Sequence, residues 1–188
     1  MSEREEEAHS YIGPMARDEA LRDELLHMAD SPPGPLRAQR LWDILDDYEA
    51  WPGRRLVGDD GEHAAWLVAQ QEIDDVELQR RCLEMLEISA ACGDADPVHY
   101  AYLHDRLRMA DGREQLYGSQ FVRAEHGGLV PWHMDDLARV DARRARLGLP
   151  PFAEHAQEMY DQYRERLVQR SGGADSAARQ QYQAATDR

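Results

Sequence analysis

Apolar residues recur at three- and four-residue steps in one stretch after another, and proline or glycine closes each stretch. That pattern confines the chain to short amphipathic helices packed face to face. Stripes of period 3.6 bury well only as helices, and the breakers keep each one short. Residues 17 to 29 place Leu21, Leu25 and Met28 on one face and end at Asp30-Ser31-Pro32-Pro33-Gly34-Pro35. Arg37 to Tyr48 repeats the pattern with Leu41, Ile44, Leu45 and Tyr48, and Ala50-Trp51-Pro52-Gly53 stops it. Leu56 to Gly61 reads as a turn into a third helix, Glu62 to Ile73, whose inner face holds Ala65, Trp66, Ala69, Gln70 and Ile73. A fourth runs from Asp75 to Cys92 on Val76, Leu83, Leu86 and Ala90, with Gly93 as its left-handed cap. Asp96-Pro97 opens a fifth, with Asp at N-cap and Pro at N1, and it carries Tyr100, Leu103, His104 and Leu107.

Beyond Asp111-Gly112 the pattern loosens. Gln115 to Val122 reads as a short strand or an ordered loop, and Gly127-Gly128 turns the chain into Leu129 to Met134. Asp135 to Leu147 is helical and basic, and Phe152 to Arg170 is a last helix. The expected fold is mainly α: a single-domain helical bundle of six or seven helices with a short irregular or two-stranded segment, over residues 17–170. A flexible lead-in (1–16) and a disordered tail (171–188) flank it, and no internal repeat is visible.

Charge narrows the partners. Arginine supplies all 22 basic residues against 37 acidic ones, a formal charge of −15. Such a surface repels phosphate backbones and anionic headgroups, and no local basic patch offsets it, so nucleic acid and membranes are excluded as expected partners. A small-molecule substrate, a protein partner or a second copy of the chain remains. The arginine-only set is put down to genome composition, although the guanidinium fork suits a bidentate grip on oxyanions. Cys82 and Cys92 lie ten residues apart on one helix, about 15 Å, and cannot pair within it. There is no secretion signal and no run of about 18 apolar residues, so the cytoplasm is the expected compartment.

Phosphate-loop, dinucleotide, nucleophile-elbow, zinc-protease and C-x-x-C motifs are all absent. His99 and His104 stand about 140° apart around a helix, which suits a shared metal badly. Neither metal nor cofactor is expected. Three polar clusters remain. Asp46 lies four residues after Trp42 near the edge of an apolar face, where a carboxylate turned partly inward is a candidate general base; the plain alternative is an acidic helix end. Trp66 and Gln70 are i, i+4 neighbours, which sets an indole and a carboxamide on one inner face, for a core network or a substrate pocket. The third cluster is Tyr102-Leu103-His104-Asp105-Arg106 with Gln115-Leu116-Tyr117-Gly118-Ser119-Gln120. An inward Arg106 needs an anion: Asp46, Glu72 or a ligand.

Several of these residues form a pattern. Trp66-Leu67 with Gln70, Asp105-Arg106, Gly112 with Gln115, Tyr117-Gly118-Ser119-Gln120, and Val140-Asp141, Arg143-Arg144 and Leu147-Gly148-Leu149 resemble a bacterial domain family of unknown function. Its members read W-L-x-x-Q-H-A-D, D-R, G-x-x-Q-x-Y-G-T-Q and D-x-x-x-V-D-x-R-R-x-x-L-G-L. The resemblance spans Leu41 to Leu149 and departs at Gln70-Gln71-Glu72-Ile73, where the family's His and Asp are replaced. It implies a divergent member. The chain is also similar in general look to the azinomycin-type aziridine ring-closing enzyme. That similarity implies cofactor-free displacement of a sulfate ester by a neighbouring amine.

The expected function is a cofactor-independent small-molecule enzyme of specialised metabolism, performing intramolecular displacement or elimination. The substrate carries an anionic leaving group. Asp46 and Asp105 are the candidate catalytic residues, and Trp51, Trp66, Gln70, His104, Arg106, Gln115, Tyr117 and Gln120 the candidate substrate-binding ones. The alternatives are a noncatalytic interaction module braced by the same polar residues, and a small-molecule hydrolase.

Overall fold

The computed structural model describes residues 17–168 apart from position 126. The lead-in (1–16), the tail (171–188) and the last two positions of the expected final helix lie outside the described residues. The fold is mainly α with one small antiparallel sheet. Its contacts gather into two compact units, Met1–Leu107 and Arg108–Arg188, where the sequence reads as one domain.

The first unit contains α1 (Glu19–Asp30), α2 (Pro35–Tyr48), α3 (Arg54–Gln71), α4 (Val76–Ala91) and most of α5 (Pro97–Ala110). Caps start the helices as local chemistry predicts. Asp18 Oδ1 accepts from Leu21 N at 2.9 Å, Asp75 Oδ1 from Leu78 N at 2.9 Å, and Asp96 Oδ1 from Val98 N at 2.9 Å. The apolar stripes interlock in one core of Leu25, Leu41, Ile44, Leu45, Val57, Ala65, Leu78, Leu86 and Leu103, all essentially sealed from solvent. Each large aliphatic side chain so buried contributes about 1.5–3 kcal/mol. The most extensive helix pairing is α1 on α3.

Helix α3 begins earlier than its stripe suggests. It is broken at Gly58, whose φ of 77° is left-handed, and it resumes towards Glu62 and His63. A side chain at Gly61 is excluded, since a Cβ there would lie 2.8 Å from Val57 Cβ. These two glycines set the level at which Glu62 enters the core. The helix stops at Gln71 rather than Ile73, and Ile73 is 59% exposed, not inward. The reason is electrostatic: Glu72 is drawn to buried Arg37, and its backbone leaves the helix at φ −80°, ψ 63°.

In the second unit, β1 (Phe121–Arg123) pairs antiparallel with β2 (Leu129–Pro131), with Val122 opposite Val130. A 3-10 turn (Leu137–Arg139) leads into α6 (Val140–Arg146), and a helix, α7, covers 152–168. Phe121 packs against Phe152, His155 and Tyr160 of α7, with ring centroids 5.7–6.4 Å apart. Gly118 has φ 71°, and a Cβ there would come within 2.6 Å of the Phe152 ring, so only glycine fits the Tyr117-Gly118-Ser119 turn.

Candidate functional site

On one side of α3, His63, Trp66 and Gln70 follow one another at helical steps, and on α5 His99, Tyr102 and Arg106 do the same. Ring contacts join the two faces. His63 and His99 have centroids 5.1 Å apart, Trp66 stacks on His99 at 4.3 Å and 11°, and Tyr102 meets Trp66 edge-on at 6.1 Å.

Through this seam runs a chain of hydrogen bonds. Glu62, 1% exposed, accepts from Trp51 Nε1 at 3.1 Å and from His99 Nδ1 at 3.0 Å. His99 Nε2 lies 3.1 Å from His63 Nδ1. With both rings neutral, these contacts set one pair of tautomers. A carboxylate on His99 Nδ1 requires Nδ1–H, which leaves Nε2 of the neutral ring as an acceptor. His63 Nδ1 therefore carries the hydrogen it donates, and His63 Nε2 presents a free lone pair. His63 itself is exposed, so that lone pair is reachable. Burial, then the neighbouring His99, holds the His63 pKa below its ordinary value, with Glu62 and Asp96 opposing. The result is a neutral imidazole oriented by a buried carboxylate through a second imidazole, which is the arrangement of a general base.

On the same two helices three buried polar atoms have no hydrogen-bond partner: Trp66 Nε1, on the residue stacked against His99, Gln70 Oε1 and Arg106 Nε. Arg106 forms no ion pair among the described residues, and burial lowers its pKa.

The predicted residues divide. Trp66, Gln70 and Arg106 lie on the two faces of the seam. Trp51 is 4% exposed and touches the site through Glu62, as a positioning donor. Asp46 is exposed, because the buried positions of α2 are Leu41, Ile44 and Leu45 and the next residues turn to water; the inward carboxylate does not exist. Asp105 is fully buried, its Oδ1 3.8 Å from His104 Nδ1, and His104 is half-buried against Tyr100. Gln115, Tyr117 and Gln120 belong to the second unit, where they brace loops. The Gln115 amide donates to Gln120 O (3.1 Å) and Trp132 O (2.8 Å), and its Oε1 accepts from Gln120 N (2.8 Å). Tyr117 O accepts from Arg144 at 2.6 Å, and Gln120 Nε2 donates to Ser119 Oγ at 3.1 Å.

Glu62, His63 and His99 were the residues that sequence reasoning missed. Their signal is there: one turn before Trp66 lies His63, and one turn before Tyr102 lies His99. Among the described residues, no group of three His, Cys, Asp or Glu is arranged to hold a metal ion, and no helix is long and apolar enough to cross a membrane.

An open pocket of about 640 Å³ lies at the C-terminal end of α3, lined by Trp42, Gln71, Glu72, Asp74 and Asp75 among others. Most of its polar groups are already used. Arg37 bonds Glu72 at 2.5 Å and Gln71 at 3.0 Å, and Asp75 caps α4 and accepts from Trp42 Nε1 at 3.1 Å.

The molecule is thus a mainly α protein whose first unit carries a Glu–His–His chain, buried at Glu62 and His99 and exposed at His63. It belongs to the family of unknown function DUF6624, whose family model matches residues 16–168. The motif resemblance and the family match agree. No curated protein and no solved structure matches the chain.

Proposed function

We propose that the protein is a cofactor-independent enzyme acting on a small molecule, with His63 as general base. The observation that carries this reading is the unbroken path from Glu62 through His99 to an exposed His63 Nε2. A substrate N–H or O–H placed at that nitrogen loses its proton to His63. Glu62 then stabilises the positive charge that forms on the imidazole pair, and Trp51 keeps the carboxylate in place.

Intramolecular displacement fits this chemistry, as does hydrolysis with water as the activated nucleophile. In the first, an amine nitrogen forms a bond to a neighbouring carbon, the carbon–oxygen bond of a sulfate ester breaks, and sulfate leaves with the electron pair. His63 takes the ammonium proton. For the second unit, the alternative of a purely bracing polar network is supported by Gln115, whose amide is fully occupied by backbone groups.

The test is turnover of 2-aminoethyl hydrogen sulfate and of aryl esters of acetate, phosphate and sulfate. Wild type is expected to turn over at least one of the four. His63→Gln is expected to lower kcat/KM by about 10²–10⁴, and Asp46→Asn to leave it unchanged. Equal rates in wild type and His63→Gln, or no turnover of any substrate, sink the reading.

A further inference from the structure

Arg106 is half-buried with its Nε sealed from solvent and unpartnered, and the sequence offers three counter-anions for it: Asp46, Glu72 or a ligand. Asp46 faces solvent, and Glu72 is held by Arg37 at 2.5 Å. What remains is a ligand. The indoles make the same point independently. The chain has four tryptophans. Trp42 Nε1 donates to Asp75, Trp51 Nε1 to Glu62 and Trp132 Nε1 to the Arg113 carbonyl. Trp66 Nε1 is buried, on a residue 9% exposed, and donates to nothing among the described residues. The Trp66 indole N–H and the Arg106 Nε–H, both buried without a partner, carry a desolvation penalty that no hydrogen bond offsets. Burial alone lowers the Arg106 pKa, with no nearby carboxylate opposing it.

These groups share the two faces that meet in the seam. The ring contacts tie His63 to His99 and Trp66 to Tyr102, and one turn further on the same faces stand Gln70 and Arg106. Two donors and one acceptor, Gln70 Oε1, are therefore all without partners. An oxyanion satisfies the donors. The acceptor requires a hydrogen-bond donor carried beside that oxyanion on the same molecule.

We propose that the α3–α5 seam binds the oxyanion of a small ligand (carboxylate, sulfate or phosphate) through the Trp66 indole N–H and the Arg106 guanidinium, with Gln70 accepting from an adjacent hydroxyl or amine. This deepens the enzyme reading, on which the assignment of that ligand as substrate rests. Anion binding itself does not require His63 to act as a base.

The experiment is an NMR titration of the full chain with sodium acetate, glycolate, sulfate and phosphate, against sodium chloride at equal ionic strength. The Trp66 indole resonance is assigned by its loss in Trp66→Phe. A saturable shift of that resonance by at least one of the oxyanions is expected, with glycolate binding more tightly than acetate. Arg106→Gln is expected to weaken binding about tenfold or more, the scale of a lost charge-assisted hydrogen bond. Should that variant fail to fold, Arg106→Lys keeps the charge without the fork and is expected to bind several-fold more weakly. His63→Gln is expected to bind as wild type does. An indole unmoved by every oxyanion, or an arginine variant that binds as tightly as wild type, overturns the proposal. Thermal stabilisation by oxyanions with a silent indole also overturns it, because the anion then sits elsewhere. Glycolate binding no better than acetate removes the role given to Gln70 and overturns the proposal in that part. A titrating indole in a protein whose His63→Gln variant keeps full activity leaves the subsite standing and removes the base.

Discussion

Arg37 is buried and Arg106 half-buried in the first unit, and they differ in what meets them. Arg37, on α2, bonds a carboxylate, a carboxamide and two backbone carbonyls, Glu72, Gln71, Met28 O and Ser31 O, and leaves only its Nη2 buried without a partner. It ties the end of α1 to the end of α3. Arg106, on α5, has its Nε buried with no partner and no carboxylate beside it. The lesson is that burial of a charge does not by itself mark a functional site. The compensated charge braces the fold, and the uncompensated one marks a vacancy in the bonding pattern that a ligand can fill. The segment containing Gln71 and Glu72, where the family's His and Asp are replaced, falls on the bracing side of this comparison.

The largest expected effect tests the compensated side. Glu72→Ala leaves Arg37 buried beside an empty partner position, and a loss of about 3–5 kcal/mol is expected in urea unfolding. A loss below about 1 kcal/mol would break the contrast. Gln115→Ala removes the three backbone bonds of a buried amide, and a loss of about 2 kcal/mol is expected by the same measurement, with no change in anion binding. Arg106→Gln is expected to stay within about 1 kcal/mol of wild type, because it removes a half-buried charge that has no ion-pair partner among the described residues. A large destabilisation would mean that the guanidinium braces the fold after all.

The pH dependence sharpens the same distinction. Burial lowers the pKa of His63 and of His155 from the ordinary histidine value of 6.5, so the unfolded chain binds these protons first as pH falls. Stability is therefore expected to be intact above pH 6.5 and to decline as pH drops through it towards the folded-state pKa values. A Tm series from pH 7.5 to 5 checks this, and His63→Gln is expected to flatten the decline. A Tm that rises on acidification contradicts it. The smallest effect is Asp46→Asn, an exposed change expected to move stability by no more than about 0.5 kcal/mol.

Much of the fold was legible in the sequence because its signals are local. The Asp caps, the Pro and Gly stops and the periodic stripes each act within one or two turns, and they place α1, α2, α4 and α5 closely. The site was legible only in part. Trp66, Gln70 and Arg106 stand out because they sit at helical steps beside motif residues. Asp46 misled because its closeness to an apolar stripe says nothing about which side of the stripe it falls on. The relay escaped because its meaning depends on contacts across 36 and 37 positions.

The sequence by itself determined where the helices run and which faces are apolar, since hydrogen bonding within a helix and the φ limits of proline and glycine need no distant partner. Only the tertiary structure decided that Glu62 reaches His99, that His99 reaches His63, and that Glu72 is taken by Arg37. Those pairings follow from how separate helices stack, and a short-range pattern holds no information about a neighbour 35 residues away. The −15 charge describes the surface. The unpartnered Nε of Arg106 is a product of the packing.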